Sequence, residues 1–295
     1  MSVGSSHPRP DSEAFEASET EQITLTRAEG TRFQLTIARA AEPDTGTPVV
    51  VLQPAMGMKA RYYAAFADAL AAAGVHAVLV EQRGHEAVVG EGGGRLPGRD
   101  YDFGYADLVE DLHAAVGAVR AEFPEAPIHL LGHSLGGQIA VMYAALHPGV
   151  LDGVMLVAAG TPYWRSFGPK LLVASYAFPL AGALVGHFPG ARLNFAGREA
   201  RGVIRDWARL ARTGRFVAGE SDLATVTLPL LAVSIEDDWL GPPASVDGLV
   251  AKLPSAAVSR VHIDEEGIDH FRWARQREPV VPLVVDWLRT VGASA

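Results

Sequence analysis

The sequence predicts an α/β fold: a mostly parallel central sheet with helices on both faces and a mainly helical segment inserted after the sixth strand. Three observations carry this. Short, almost wholly apolar runs at residues 49–52, 75–80, 128–131, 151–158 and 228–235 have the length and composition of strands buried on both faces. Helix-like segments alternate with them, as parallel crossover connections require. After Gly160 the alternation stops, and it resumes only at Leu228.

Residues 1–22 are polar and acidic and lack the charged-then-apolar pattern of a signal peptide, so they read as a disordered tail. Residues 23–27 and 32–38 alternate around Glu29-Gly30 and predict an antiparallel hairpin. The strand at 49–52 leads to the turn Pro54-Ala55-Met56-Gly57. An alanine-rich helix at 61–73 ends at Gly74. The stretch 82–99, with Gly92-Gly93-Gly94 near its centre, lacks the Lys-Ser/Thr of a phosphate loop and reads as a flexible loop. Helices are expected at 102–122, 245–253 and 282–290, and a last strand at 257–263. The core then comprises residues 23–160 and 223–295, interrupted by a cap at 161–222.

Composition narrows the function. At 295 residues with 48% hydrophobic and 20% charged residues, the chain suits one large soluble domain with an insertion. The net charge of −9 argues against nucleic acid as a partner. The absence of cysteine excludes disulfides, thiolate metal sites and a cysteine nucleophile, and fits a cytoplasmic location. The apolar stretch at 171–185 is shorter than the roughly 20 residues that span a bilayer, so stable membrane insertion is not expected. No His-Glu-x-x-His motif appears, and neither a metal nor a cofactor is expected. The partner expected is a small-molecule substrate, with assembly as a homodimer left open.

The chemistry centres on Ser134, in Gly132-His133-Ser134-Leu135-Gly136-Gly137. An apolar strand precedes this G-x-S-x-G and a helix-like run follows, which is the context of a nucleophile elbow. A serine needs a base, and the base needs an acid to hold its tautomer. The chain order Ser, acid, His directs attention to Glu236-Asp237-Asp238, directly after the strand at 228–235. Asp238 is favoured, with Asp237 the alternative. Of the two histidines beyond them, His262 falls within a strand pattern and reads as structural. His270 lies in a loop able to reach the serine and is the expected base. Asp269 beside it is expected to raise the pH optimum, and His133 is expected to pack.

The oxyanion formed on attack needs two N–H donors. Leu135, at the start of the following helix, supplies one; the turn after residue 52 supplies the other, from Ala55 first or Met56 second. Pro54 has no N–H. The inserted segment is rich in aromatic residues, and Tyr163, Trp164 and Phe167 are expected to contact a hydrophobic acyl or alcohol group.

Across residues 23–291 the chain resembles the α/β-hydrolase superfamily, and more narrowly a group of bacterial predicted α/β hydrolases of unassigned substrate. The resemblance rests on Pro54-Ala55-Met56-Gly57, Gly132-His133-Ser134 with Gly136-Gly137-Gln138, and Gly160-Thr161-Pro162-Tyr163-Trp164-Arg165. It continues through His187-Phe188-Pro189-Gly190, Ser234–Asp238 with Pro242-Pro243, and His270-Phe271. It implies Ser134, Asp238 and His270 as the triad. The chain departs from the usual pattern in having Gln53-Pro54 where His-Gly is common, and Asp269 before the histidine where glycine is common. The expected activity is a serine hydrolase, carboxylesterase-like, that cleaves an ester or thioester of a small hydrophobic substrate through an acyl-enzyme. An acyltransferase on the same triad, or a non-catalytic ligand-binding protein on the same fold, are the alternatives.

Overall fold

The computed structural model describes residues 21–193 and 195–293. Residues 1–20 of the expected tail lie outside the described residues. Its last two, Glu21 and Gln22, already belong to the first strand, β1 (Glu21–Thr26), which pairs antiparallel with β2 (Arg32–Ala38). The strands β3 (Val49–Gln53), β4 (His76–Val80), β5 (Ile128–His133) and β6 (Gly153–Val157) follow, then β9 (Pro229–Ile235) and β10 (Ala257–Ile263). They form one eight-stranded sheet in the order β1-β2-β4-β3-β5-β6-β9-β10. Pairing is parallel from β4 to β10, and β2 runs antiparallel to both its neighbours.

Position in this order explains the hydropathy patterns. Every residue of β3, β4, β5 and β6 is buried, because helices cover both faces. The edge strands β1 and β10 instead expose much of their length, with polar groups such as Arg260 and His262 on β10. On one face, α1 (Ala64–Ala72) and α8 (Val280–Gly292) pack Phe66, Leu70, Val284 and Trp287 against Leu52, Leu79 and Leu231. On the other, α2 (Tyr105–Glu122), α3 (Leu135–Leu146) and α7 (Pro243–Val250) bury Leu112, Ile139 and Val246 over Val51, Leu130 and Ala232.

The long loop after β4 is anchored at its start rather than loose. Arg27 lies 2.7 Å from Glu86 and 2.9 Å from Asp111, and Arg83 lies 2.6 Å from Asp111. This buried network ties the loop to the hairpin and to α2.

Between β6 and β9 the chain forms α4 (Trp164–Phe167), α5 (Pro169–Val185), the short hairpin β7 (Phe188–Pro189) and β8 (Arg198–Glu199), and α6 (Arg201–Thr213). Pro179 lies inside α5 and has no N–H to give the Ser175 carbonyl one turn back. The guanidinium of Arg212 on α6 donates to that carbonyl instead, joining the two helices. Phe178, Phe188, Phe195 and Trp207 pack with ring centroids 4.9–6.2 Å apart and form the small core of this segment.

Candidate active site

The sharp turn from β5 into α3 places Ser134 at φ 53°, ψ −115°, one of three described non-glycine residues with positive φ. Such a conformation costs on the order of 1–3 kcal/mol and persists only where the surroundings impose it. The surroundings here admit no bulk. A Cβ on Gly136 would lie 2.1 Å from the Gln53 carbonyl oxygen, and one on Gly132 would lie 2.4 Å from Gly137. The glycines let α3 approach β3 and β5 closely, and the serine caps the crest of the turn.

The end of β9 brings an acid to a base. Asp238 is buried and its Oδ2 lies 2.7 Å from Nδ1 of His270, which is buried as well. The other carboxylate oxygen accepts N–H bonds from Leu240 and Gly241, at 2.9 and 2.7 Å. Three hydrogen bonds therefore fix the carboxylate. Asp237 is exposed, which separates the two candidates left open by the sequence. His262 bonds Ser234 at 2.8 Å and Glu236 at 3.0 Å, a structural arrangement on β10. The Asp269 carboxylate accepts the N–H groups of Phe271 and Arg272, at 2.9 and 2.8 Å, and so caps the turn that follows.

Ser134 and His270 line one cavity of about 340 Å³. Its walls include Met56, Leu135, Phe167, Leu171, Phe178 and Trp207. The inserted segment thus lies over the serine and contributes apolar surface. Of the three aromatics expected there, Phe167 lines the cavity, whereas Tyr163 and Trp164 do not. Arg165 holds both away: its Nε donates to the Tyr163 hydroxyl at 2.8 Å, and its guanidinium lies 5.0 Å from the Trp164 ring centre.

In the turn after β3 both Ala55 and Met56 line the cavity. The Ala55 N–H donates to the Tyr63 hydroxyl at 3.1 Å. Tyr63 in turn lies 2.7 Å from Nδ1 of His133. Burial, and next the neighbouring His270, hold His133 well below its ordinary pKa, with a backbone contact from His270 opposing the shift. The neutral imidazole accepts the tyrosine proton at Nδ1. Tyr63 is fully buried and its pKa is raised by desolvation, so it remains a phenol that accepts from Ala55 and donates to His133. With Ala55 committed, Met56 and Leu135 are the candidate N–H donors beside Ser134. Leu135 is the first residue of α3, where an N–H has no acceptor within the helix.

Sequence reasoning missed Tyr63, Tyr105, Gln138, Trp239 and Phe271. Gln138 accepts from the Tyr105 hydroxyl at 2.7 Å and donates to the Gly160 carbonyl at 2.9 Å, fixing the cavity floor between α2 and the end of β6. Trp239 and Phe271 line the cavity while 72% and 38% exposed, which puts them at its mouth. Gly132–Gln138 and His270-Phe271 carried local signals, but these concerned the turn and the histidine rather than the Gln138 amide or the Phe271 ring. Among the described residues no group of three or more His, Cys, Asp or Glu side chains is placed to hold a metal ion.

Comparisons with known proteins agree with this architecture. The family described as serine aminopeptidase, S33, matches residues 46–213, more than half of the chain. A monoacylglycerol lipase of Mycolicibacterium smegmatis is 28% identical over 232 residues, covering 73% of this chain and 79% of that protein. A monoglyceride lipase of Rattus norvegicus is 41% identical over 51 residues, 17% of each chain. Among solved structures, Est1E from Butyrivibrio proteoclasticus superposes with a TM-score of 0.65 at 15% identity, over 92% of this chain and 99% of that one. A carboxyl esterase from Bacillus coagulans gives 0.64 at 16% identity, over 92% and 98%. At such identities the likeness is one of fold. Taken with the family match, it establishes that the chain belongs to the serine aminopeptidase S33 family of α/β hydrolases.

Proposed function

We propose that the protein is a serine esterase that cleaves small hydrophobic esters through an acyl-enzyme. The observation that carries this reading is the Asp238–His270 hydrogen bond of 2.7 Å opening onto the cavity that holds Ser134. In this mechanism His270 Nε2 takes the Ser134 proton as Oγ attacks the ester carbonyl. The tetrahedral oxyanion is held by the N–H groups of Leu135 and Met56, with the N-terminus of α3 adding its partial positive charge. His270 then gives its proton to the leaving alcohol, and water repeats the sequence to release the acid. Asp238 keeps the Nδ1 proton on His270 and stabilises the imidazolium.

The inserted segment acts as the cap that selects the substrate. A cavity of about 340 Å³ is at the small end of ligand pockets, about 300–1,000 Å³. Its Phe and Trp walls favour an alkyl or aryl group over acetate. The lipase and esterase names borne by the relatives support the ester class; their substrates do not transfer to this chain at these identities. Hydrolysis of p-nitrophenyl esters from acetate to decanoate tests the reading. The expected result is a rise in kcat/KM from acetate to a medium chain, abolished in Ser134→Ala. Equal turnover of all chain lengths contradicts the cap's role, and no turnover of any ester contradicts the esterase.

A further inference from the structure

The segment between β6 and β9 has a charge opposite to that of the whole chain. It carries nine basic side chains and four acidic ones, an excess of five positive charges on a chain of net charge −9, and its helical part, residues 161–213, has eight basic residues against Glu199 and Asp206. Glu199 and Asp206 are buried. The positive charge is arranged. On α6, Arg201, Arg205, Arg209 and Arg212 recur every three or four residues; Arg205 and Arg209 are exposed and Arg201 and Arg212 half-buried, while Val203, Ile204, Trp207 and Leu210 face the core. Arg201 and Arg205 form long ion pairs with Asp102 and Asp206, at 3.6 and 3.8 Å.

Beside this basic row runs an apolar one. On α5, Val173, Tyr176, Leu180 and Leu184 are each more than 60% exposed and recur at helical spacing. The two rows are neighbours: the Arg212 guanidinium lies 4.8 Å from the centre of the Tyr176 ring, and Arg201 Cγ lies 3.6 Å from the Cβ position of Gly182. The only charged residue on α5 is Lys170, in its first turn. The opposite side of the same helix supplies Leu171 and Phe178 to the cavity.

We propose that α5 and α6 together form a docking surface for anionic lipid. An apolar helical row flanked by arginines matches an interface of acyl chains and anionic headgroups. The apolar row offers hydrogen-bonding capacity only at Tyr176, which suits hydrocarbon better than a polar protein surface. The charge asymmetry orients an otherwise acidic molecule so that this side approaches a negative surface first. Among the described residues no helix is long and apolar enough to cross a membrane, so the binding is adsorption. Adsorption sets α5, whose opposite side lines the cavity with Leu171 and Phe178, against the lipid. It does not depend on the catalytic reading above.

Co-sedimentation of the full chain with vesicles tests this, using phosphatidylcholine alone and phosphatidylcholine mixed with phosphatidylglycerol. The protein carries Ser134→Ala, so that binding is read without turnover. The expected result is binding to the mixed vesicles only, lost at high salt. Arg205→Glu with Arg209→Glu, and separately Leu180→Ser with Leu184→Ser, each weaken binding about tenfold or more. The urea-unfolding midpoints of the same pairs stay at that of the parent protein, which shows that they fold. Absence of vesicle binding overturns the proposal, as does binding that the substitutions leave intact or that phosphatidylcholine alone supports equally. A dimer in vesicle-free solution that the α5 pair dissociates also overturns it, assigning the surface to a second copy.

Discussion

Asp238→Asn separates an orienting acid from a merely buried one, because the surroundings dictate how the amide must sit. In the wild type one carboxylate oxygen accepts two N–H bonds, from Leu240 and Gly241, and the other faces His270 at 2.7 Å. Turning the new NH₂ toward two N–H donors would set donor against donor in a buried site. The amide oxygen therefore keeps those bonds and the NH₂ faces Nδ1 of His270. That nitrogen must now accept, so the imidazole proton moves to Nε2, the atom that has to receive the Ser134 proton. The fold survives and the base is in the wrong tautomer. The expected loss in kcat is about 10³- to 10⁴-fold, or about 4–5.5 kcal/mol of barrier. Steady-state hydrolysis of a medium-chain p-nitrophenyl ester measures it, with a urea midpoint as the control for folding. Asp237→Asn, at an exposed position, changes kcat less than twofold. A folded Asp238→Asn enzyme with more than a tenth of wild-type kcat, or a severe loss in Asp237→Asn, refutes the reasoning.

Three further outcomes follow. Tyr63→Phe leaves the Ala55 N–H and Nδ1 of His133 buried without their partner, and lowers stability by about 2–4 kcal/mol in urea unfolding; an unchanged midpoint contradicts the relay. Burial lowers the pKa of His129 from 6.5 to about 4, against a small opposing effect of Asp152. Between those values the unfolded chain binds a proton that the folded chain refuses, so stability falls as pH falls from 6.5 toward 4, by about 1.4 kcal/mol per unit. His129→Asn removes that slope, and parallel stability–pH curves for the two proteins would rule the assignment out. His85 shifts the other way: desolvation lowers its pKa, but Glu199 2.8 Å away outweighs this and raises it. Its contribution is complete below pH 6.5 and is lost as pH rises through the raised value. His85→Gln flattens the alkaline side of the stability curve, and an unaltered alkaline limb refutes this.

Legibility in the sequence followed the range of the interaction. The central strands were readable because burial on both faces writes a continuous apolar run, as in Val49–Gln53 and Ile128–His133. The serine turn was readable because its glycines act within a few residues of one another. Asp238 and His270, 32 residues apart, were singled out through chain order, and the structure joins them by a hydrogen bond while leaving Asp237 exposed. The Tyr63–His133 bond joins residues 70 apart and leaves no periodic trace. It decides which N–H of the turn is committed, and so Ala55 could not be told from Met56 in advance. Tyr163 and Trp164 instead contact Arg165, two and one residues on, a local pairing that the count of aromatics did not weigh. Helix starts shifted by a few residues where a 3₁₀ turn, Ala60–Tyr63, precedes α1 and where Gly104 delays α2.

The central claim is that Ser134 is an activated nucleophile, and covalent labelling by a fluorophosphonate tests it most directly. Intact mass of the wild type after brief exposure should show one adduct per chain, with none on folded Ser134→Ala. Folded wild type that takes up no label, or a Ser134→Ala variant that labels equally, contradicts the account.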